Sequence, residues 1–307
     1  RSNVAFEEAS VQASQRLAEK LAAVRAGNWQ TAQKKPRSKR PPFTLRPTGP
    51  PAVALLWKNL ISAGQAFTLR LWLSLAVFGL CASFGLGQAS GGSGLRAALG
   101  MIAAMLMLWS LLLGPQLLRQ DFRQDLPLAD LLKTYPLPGW QLALGELLAP
   151  ATVLTGIQWF LLILILGLFP QSHGAGLGWS AWLGLGFGAA LIIPMLNLIL
   201  LQIPNAAALA FPAWFQSAKG GAQGIEATGQ RLIFMIGQML VFAVALLPAA
   251  ALFAGVFFLA KLLLPTAIAI PLASIAAAIV LAVEAALGVM LLGRLFDRFD
   301  LSAEQTS

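Results

Sequence analysis

The chain has 307 residues, of which 58% are hydrophobic and only 11% charged, with a formal net charge of +9. A soluble domain carries about a quarter charged residues, so this composition excludes a water-soluble globule and reads as an all-α polytopic membrane protein. The positive charge sits mainly near the N-terminus, where it bears on topology rather than on nucleic-acid binding. The single cysteine, Cys81, falls in an expected span, acts there as a small hydrophobe, and rules out a disulfide framework.

The chain opens on Arg1 with a polar stretch and shows no charged n-region followed by an apolar h-region. It is read as the C-terminal portion of a longer chain. Residues 1–33 are rich in Ala, Glu, Gln and Arg, all good helix formers. Val4, Val11, Leu17, Leu21 and Val24 give that helix a thin apolar stripe. Lys34 to Arg40 reads KKPRSKR, and Pro41, Pro42, Pro47, Pro50 and Pro51 follow. Proline at that density forbids a helix. Residues 1–51 are therefore expected to be a cytoplasmic polar helix and a basic linker that touches anionic lipid.

Residues 52–65 are apolar but too short to span, since a bilayer core needs about 20 residues. Trp57, Lys58 and Asn59 interrupt the run, as in an interfacial amphipathic helix. Six spans are expected next, at about 67–86, 95–118, 141–169, 181–203, 232–260 and 266–293, within a transmembrane domain of residues 52–298. Pro150, Pro194, Pro248 and Pro271 lie inside or near span ends, where neighbouring helices re-satisfy the backbone. Residues 299–307 form a tail.

Lys and Arg set the orientation. With the N-terminus cytoplasmic, the inside segments hold Arg119, Arg123, Lys133, Lys219, Arg231, Arg294 and Arg298, while the outside keeps only Arg96 and Lys261 at span edges. Both termini are thus expected on the cytoplasmic side of a cell membrane. The second large inside segment, 204–231, carries Phe211, Trp214 and Phe215 for the headgroup level, and Gly220, Gly221 and Gly224 for a hinge.

Several chemistries lack their residues. No GxxxxGK[ST] occurs, so the chain holds no phosphate-binding loop of that kind and is not expected to be an enzyme. The ASGGSG run at Ala89–Gly94 is a flexible turn. Gly184, Gly186 and Gly188 follow no strand and read as small residues that let helices approach. His173 is the only histidine, so no multi-His metal site is expected. Ser180 lies near it, but neither is deep in a span. Two intramembrane carboxylates stand out as translocation-path or polar-contact candidates. Glu284 lies near the middle of the last span, where a charge is costly. It either faces a cavity or bonds, protonated, to a neighbouring helix. Glu146 lies one to two turns into the third span, where it can snorkel, cap a helix end, or pair with Lys133 or Arg119.

The longest charged interruption between spans is Gly114–Trp140, GPQLLRQDFRQDLPLADLLKTYPLPGW. Arg119 and Arg123, and Asp121 and Asp125, are each four apart, which predicts two charge rows on a helix continuing from the second span. Leu118, Phe122 and Leu126 line another face. Pro127 breaks that helix, a short one holding Asp130 and Lys133 follows, and Tyr135–Pro136 ends it. An orientation loop needs only Lys and Arg. Mixed charge with an apolar face fits docking into a partner's groove instead.

The run from Arg119 through Glu146, with Asp121, Arg123, Asp125, Leu131, Leu132, Lys133, Thr134, Tyr135, Pro136, Leu137 and Gly139, resembles the ABC exporter family, whose membrane subunits are related to the ABC-2 type permeases. VAFEEA at Val4–Ala9 is a weaker marker of the same resemblance. It implies an elbow helix, six spans, and a loop that contacts a separate ABC ATPase subunit. Arg119, Asp121, Arg123, Asp125, Asp130, Lys133 and Tyr135 would then carry ATPase coupling. ATP would be bound by that partner, with no cofactor in this chain, and a second permease half or homodimer would complete the path through the lipid bilayer. Two readings of other classes stay beside it: an ATP-independent transporter using Glu284 as its ion or proton site, and a membrane scaffold that moves no substrate.

Overall fold

The computed structural model describes residues 44–45, 49–63, 74, 77, 93–118, 121–126, 129–168, 178–211 and 225–299. The chain divides into units 1–40 and 41–307, and all described residues belong to the second. Every described element is a helix: α1 (Pro51–Ala63), α2 (Ser93–Leu117), α3 (Phe122–Asp125), α4 (Ala129–Lys133), α5 (Gly139–Leu168), α6 (Trp179–Ala210), α7 (Ile225–Leu263) and α8 (Thr266–Arg298). Five of them, α2, α5, α6, α7 and α8, are long and apolar enough to cross a membrane. The expected first span, 67–86, lies outside the described residues apart from Ser74 and Val77, both helical. So do the polar helix and most of the basic linker of residues 1–51. α1 forms where the short apolar run predicts it.

The central helices are α5, α6 and α8, which pack on one another; α2 lies against α5, and α7 against α8. Only 11% of the most apolar stretch of α7 is buried, against 44% of that of α5. Leu240, Leu247, Leu259 and Leu263 of α7 and Met101, Met105 and Trp109 of α2 all stand exposed. Rows of large apolar side chains on that scale fit hydrocarbon rather than water. The chain is a membrane-embedded helical protein.

Two features of the sequence shape the bundle. Glycines set how closely helices approach. A Cβ on Gly184 would lie 3.1 Å from the Ala267 carbonyl oxygen, and one on Gly188 would lie 2.8 Å from Ser274 Cβ, so both face α8; Gly186 faces Leu166 of α5. At the other end Gly139 and Gly293 bring the start of α5 against the end of α8. A Cβ on Gly293 would sit 2.6 Å from Trp140 Cα and 2.7 Å from the Gly139 carbonyl carbon. Both are backbone atoms, which cannot turn aside.

Prolines are the second feature. Pro115, Pro150, Pro194, Pro204, Pro248 and Pro271 all lie within helices. Each lacks an N–H and frees the carbonyl four residues earlier. For Pro194 the rescue is visible: Trp159 Nε1 of α5 donates to the freed Ala190 oxygen at 3.0 Å. Pro204 likewise does not end α6, which runs to Ala210, beyond the span limit read from the sequence. Correspondingly, α7 starts at Ile225, and only 212–224 of the expected 204–231 segment lies outside the described residues.

Gly293→Val is expected to lower the unfolding temperature in detergent, since overpacking costs about 1–3 kcal/mol. Gly237→Ala is expected to raise it slightly, because nothing lies within 4 Å of a Cβ there and Ala is favoured over Gly in a helix by about 1 kcal/mol. Thermal unfolding of the two variants beside the native protein checks the opposite signs.

Candidate functional site

The stretch between α2 and α5 does not continue α2 as a helix. α2 ends at Leu117, and Asp121 starts α3, its side chain accepting from the Arg123 backbone N–H at 3.1 Å. The paired charge rows expected on one helix face therefore do not form. Asp121 and Arg123 instead turn inward: they are 1% and 8% exposed. Arg119 lies outside the described residues, as does the side chain of Asp130, which falls within α4.

Arg123 closes the end of α2. Its Nη2 donates to the Pro115 carbonyl at 2.6 Å and to the Leu118 carbonyl at 2.9 Å, in the last turn where carbonyls lack helical partners. Its Nε donates to Asp121 Oδ1 at 2.9 Å, and Asp121 Oδ2 lies 2.6 Å from the same Nη2, whose two hydrogens are shared among the carboxylate and the two carbonyls. Asn205 of α6 donates to Asp121 Oδ2 at 2.8 Å. A buried ion pair gains back its desolvation only when the remaining bonding capacity is used. Here the carboxylate holds a guanidinium, a backbone amide and a side-chain amide together. The pair thus joins α2, α3 and α6.

Phe122 carries the apolar half of the joint. Its ring stacks on Phe296 of α8, with centroids 4.9 Å apart and planes at 19°. Both are fully buried, in one core with Leu55, Leu126, Leu132, Leu142, Leu201 and Leu292. That core draws on α1, α3, α4, α5, α6 and α8. Lys133, at the end of α4, donates to the Phe299 carbonyl and lies over the Phe296 ring at 5.9 Å.

A third set of contacts uses Glu146. Of the three roles the sequence left open for it, the structure shows a pairing, with α1 rather than with Lys133. Glu146 is fully buried. Asn59 donates to its Oε2 at 2.8 Å, and the Lys58 ammonium lies 3.6 Å from Oε1, an ion pair too long for a hydrogen bond. Lys58 also bonds Asp125 at 3.1 Å. One lysine thus links α1, α3 and α5. α1 can approach that closely because Gly145 of α5 has no side chain where Leu55 packs. Burial pulls the Lys58 ammonium down, yet the Glu146 and Asp125 carboxylates outweigh it and lift it above the ordinary 10.5. In the last span Glu284 is far from this group in sequence, and its Oε2 is buried without a protein partner among the described residues.

What stays exposed is the segment after the joint. Leu131, Tyr135 and Trp140 are 56%, 46% and 45% exposed, and Thr134, Pro136 and Pro138 are exposed with them. Thr134 bonds back to the Leu131 carbonyl at 2.7 Å, and Leu137 N–H to Tyr135 at 2.7 Å, so the tip is a folded turn. Sequence reasoning placed the contact surface on the charges. The structure buries two of those charges and presents a mainly apolar and hydroxyl-bearing tip. Lys58, Asn59 and Asn205 were missed as partners; their only sequence signal was polarity inside an apolar helix.

Asp121→Ala is expected to destabilise by about 3–5 kcal/mol, because it strands a buried guanidinium; Gln124→Ala, at an exposed position, is expected to change little. Detergent unfolding curves compare them. For Lys58, a group raised in the folded state stabilises fully below its unfolded value and stops doing so as pH climbs through the folded one. Lys58→Met should therefore lower the unfolding temperature near neutral pH, with the gap from the native protein closing above 10.5. Set beside known proteins, the chain matches no family model, no curated protein and no solved structure.

Proposed function

We propose that this chain is the membrane permease component of an ATP-driven exporter, worked by a separate ATPase that docks on the tip formed by Leu131, Thr134, Tyr135 and Pro136. The observation carrying this reading is the pairing of an exposed folded tip with a buried joint. Asp121, Phe122, Arg123 and Lys133 tie that joint to α2, α6 and α8. Force applied at the tip passes into three membrane helices, with α1 and α5 added through Lys58 and Glu146. The resemblance of residues 119–146 to ABC-2 type permeases supports the same assignment. In this reading the tip and both termini face the cytoplasm of a cell membrane, and α1 lies at its surface as an elbow. A second permease half or a second copy completes the path. Asp121 and Arg123 transmit motion rather than touch the ATPase.

One observation favours a second reading. The partnerless Glu284 oxygen in the last span is a feature of a transporter driven by protons or ions.

Purification of the native protein from its own membranes, with ATPase activity assayed in the eluate, separates the two. An ATPase is expected to accompany the native protein and to be lost with Leu131→Asp and Tyr135→Ala, while the variants unfold at the native temperature. A native protein that purifies alone, and whose transport depends on the proton gradient and fails with Glu284→Gln, overturns the exporter reading.

A further inference from the structure

Near the middle of α5 and α6 three polar side chains meet. Asn197 Nδ2 donates to Thr155 Oγ1 at 3.0 Å and to Gln158 Oε1 at 2.8 Å, which uses both its hydrogens. Asn197 and Gln158 are 0% and 1% exposed. The other ends of the two amides, Asn197 Oδ1 and Gln158 Nε2, are buried without a protein partner among the described residues. Turning both amides over only exchanges their roles, and turning one over sets like atoms against each other. One free donor and one free acceptor remain in every consistent arrangement.

The surroundings make this pair unusual. The cluster lies at least ten residues from either end of both helices, or about 15 Å at 1.5 Å per residue, where bulk water does not reach. Close by, the carbonyl freed by Pro194 does find a donor, in Trp159. Unmet hydrogen-bonding groups in the hydrocarbon region are costly, and a polar site with two or more partners is where an internal water is held.

We propose that Thr155, Gln158 and Asn197 form a binding site for a single water molecule, which accepts from Gln158 Nε2 and donates to Asn197 Oδ1. Water is the smallest molecule that serves both groups. It gives α5 and α6 a polar contact deep in the bundle, beside the Pro194 break in α6. The inference does not depend on what drives the protein.

Solid-state NMR of the full chain in deuterated lipid tests it by magnetisation transfer from water. Ile157–Gln158 is the one Ile–Gln pair in the sequence, so labelling isoleucine at its carbonyl and glutamine throughout identifies Gln158 without any mutation. Transfer to the Gln158 side-chain amide is expected in the native protein, with loss to the level of Gln158's own backbone amide, seen in the same sample, in Asn197→Leu. No transfer in the native protein overturns the proposal, whether or not the variant folds. Transfer unchanged in a folded Asn197→Leu also overturns it.

Discussion

Arg123 is almost wholly withdrawn from solvent, with its side chain 4% exposed. Its guanidinium is buried at the end of α2, and the Pro115 and Leu118 carbonyls, together with the Asp121 carboxylate, take its donors. The arrangement solves two problems at once. A helix end leaves carbonyls without partners, and a buried cation needs acceptors. Because Asp121 is also held by Asn205, the solution extends into α6. Remove either charge and the other is left buried without its counter-ion, and the link from α2 through the pair to α6 is broken.

Around this pair the other contacts are arranged by distance from the membrane helices. Phe122 faces inward onto Phe296, giving the joint an apolar floor shared by six helices. Asp125 faces sideways to Lys58, which reaches on to Glu146. Leu131 and Tyr135 face outward. The segment between α2 and α5 is therefore graded from a rigid buried base to an exposed tip. Under the proposed exporter reading, a base held by both ionic and apolar contacts would pass a partner's motion on rather than absorb it by local repacking.

The bundle shows the same economy elsewhere. Glycines are placed where helices close on one another: backbone to backbone at Gly139 with Gly293, against the Ala267 carbonyl at Gly184, and against the Ser274 side chain at Gly188. In a membrane, helices gain little from hiding apolar surface from one another, so close packing and interhelical hydrogen bonds carry the association. Trp159 to Ala190, Gln202 to the Ala285 carbonyl, and Asn197 to Thr155 and Gln158 supply such bonds at different depths.

The sequence by itself determined the membrane character, the helical class and the positions of the long helices, because hydropathy and span length are properties of consecutive residues. It also marked Gly114–Trp140 as the longest charged interruption between spans, and Glu146 as a carboxylate inside a span whose role stayed open between snorkelling, capping and pairing. The span limits read from it stop short of the ends of α6 and α7, because hydropathy marks the apolar stretch and not the helical turns that continue beyond it. The sequence also continued α2 too far, since the four-residue spacing of Asp121 with Asp125 and of Arg119 with Arg123 is as consistent with a helix as with a chain that turns. Only the tertiary structure decided that Asp121 and Arg123 point inward, that Lys58 is the partner of Glu146, and that Asn197 meets Gln158. The partners of Glu146, Gln158 and Asp121 lie 39 to 88 positions away from them in the chain. Those pairings depend on the relative height and rotation of packed helices, which no local pattern encodes.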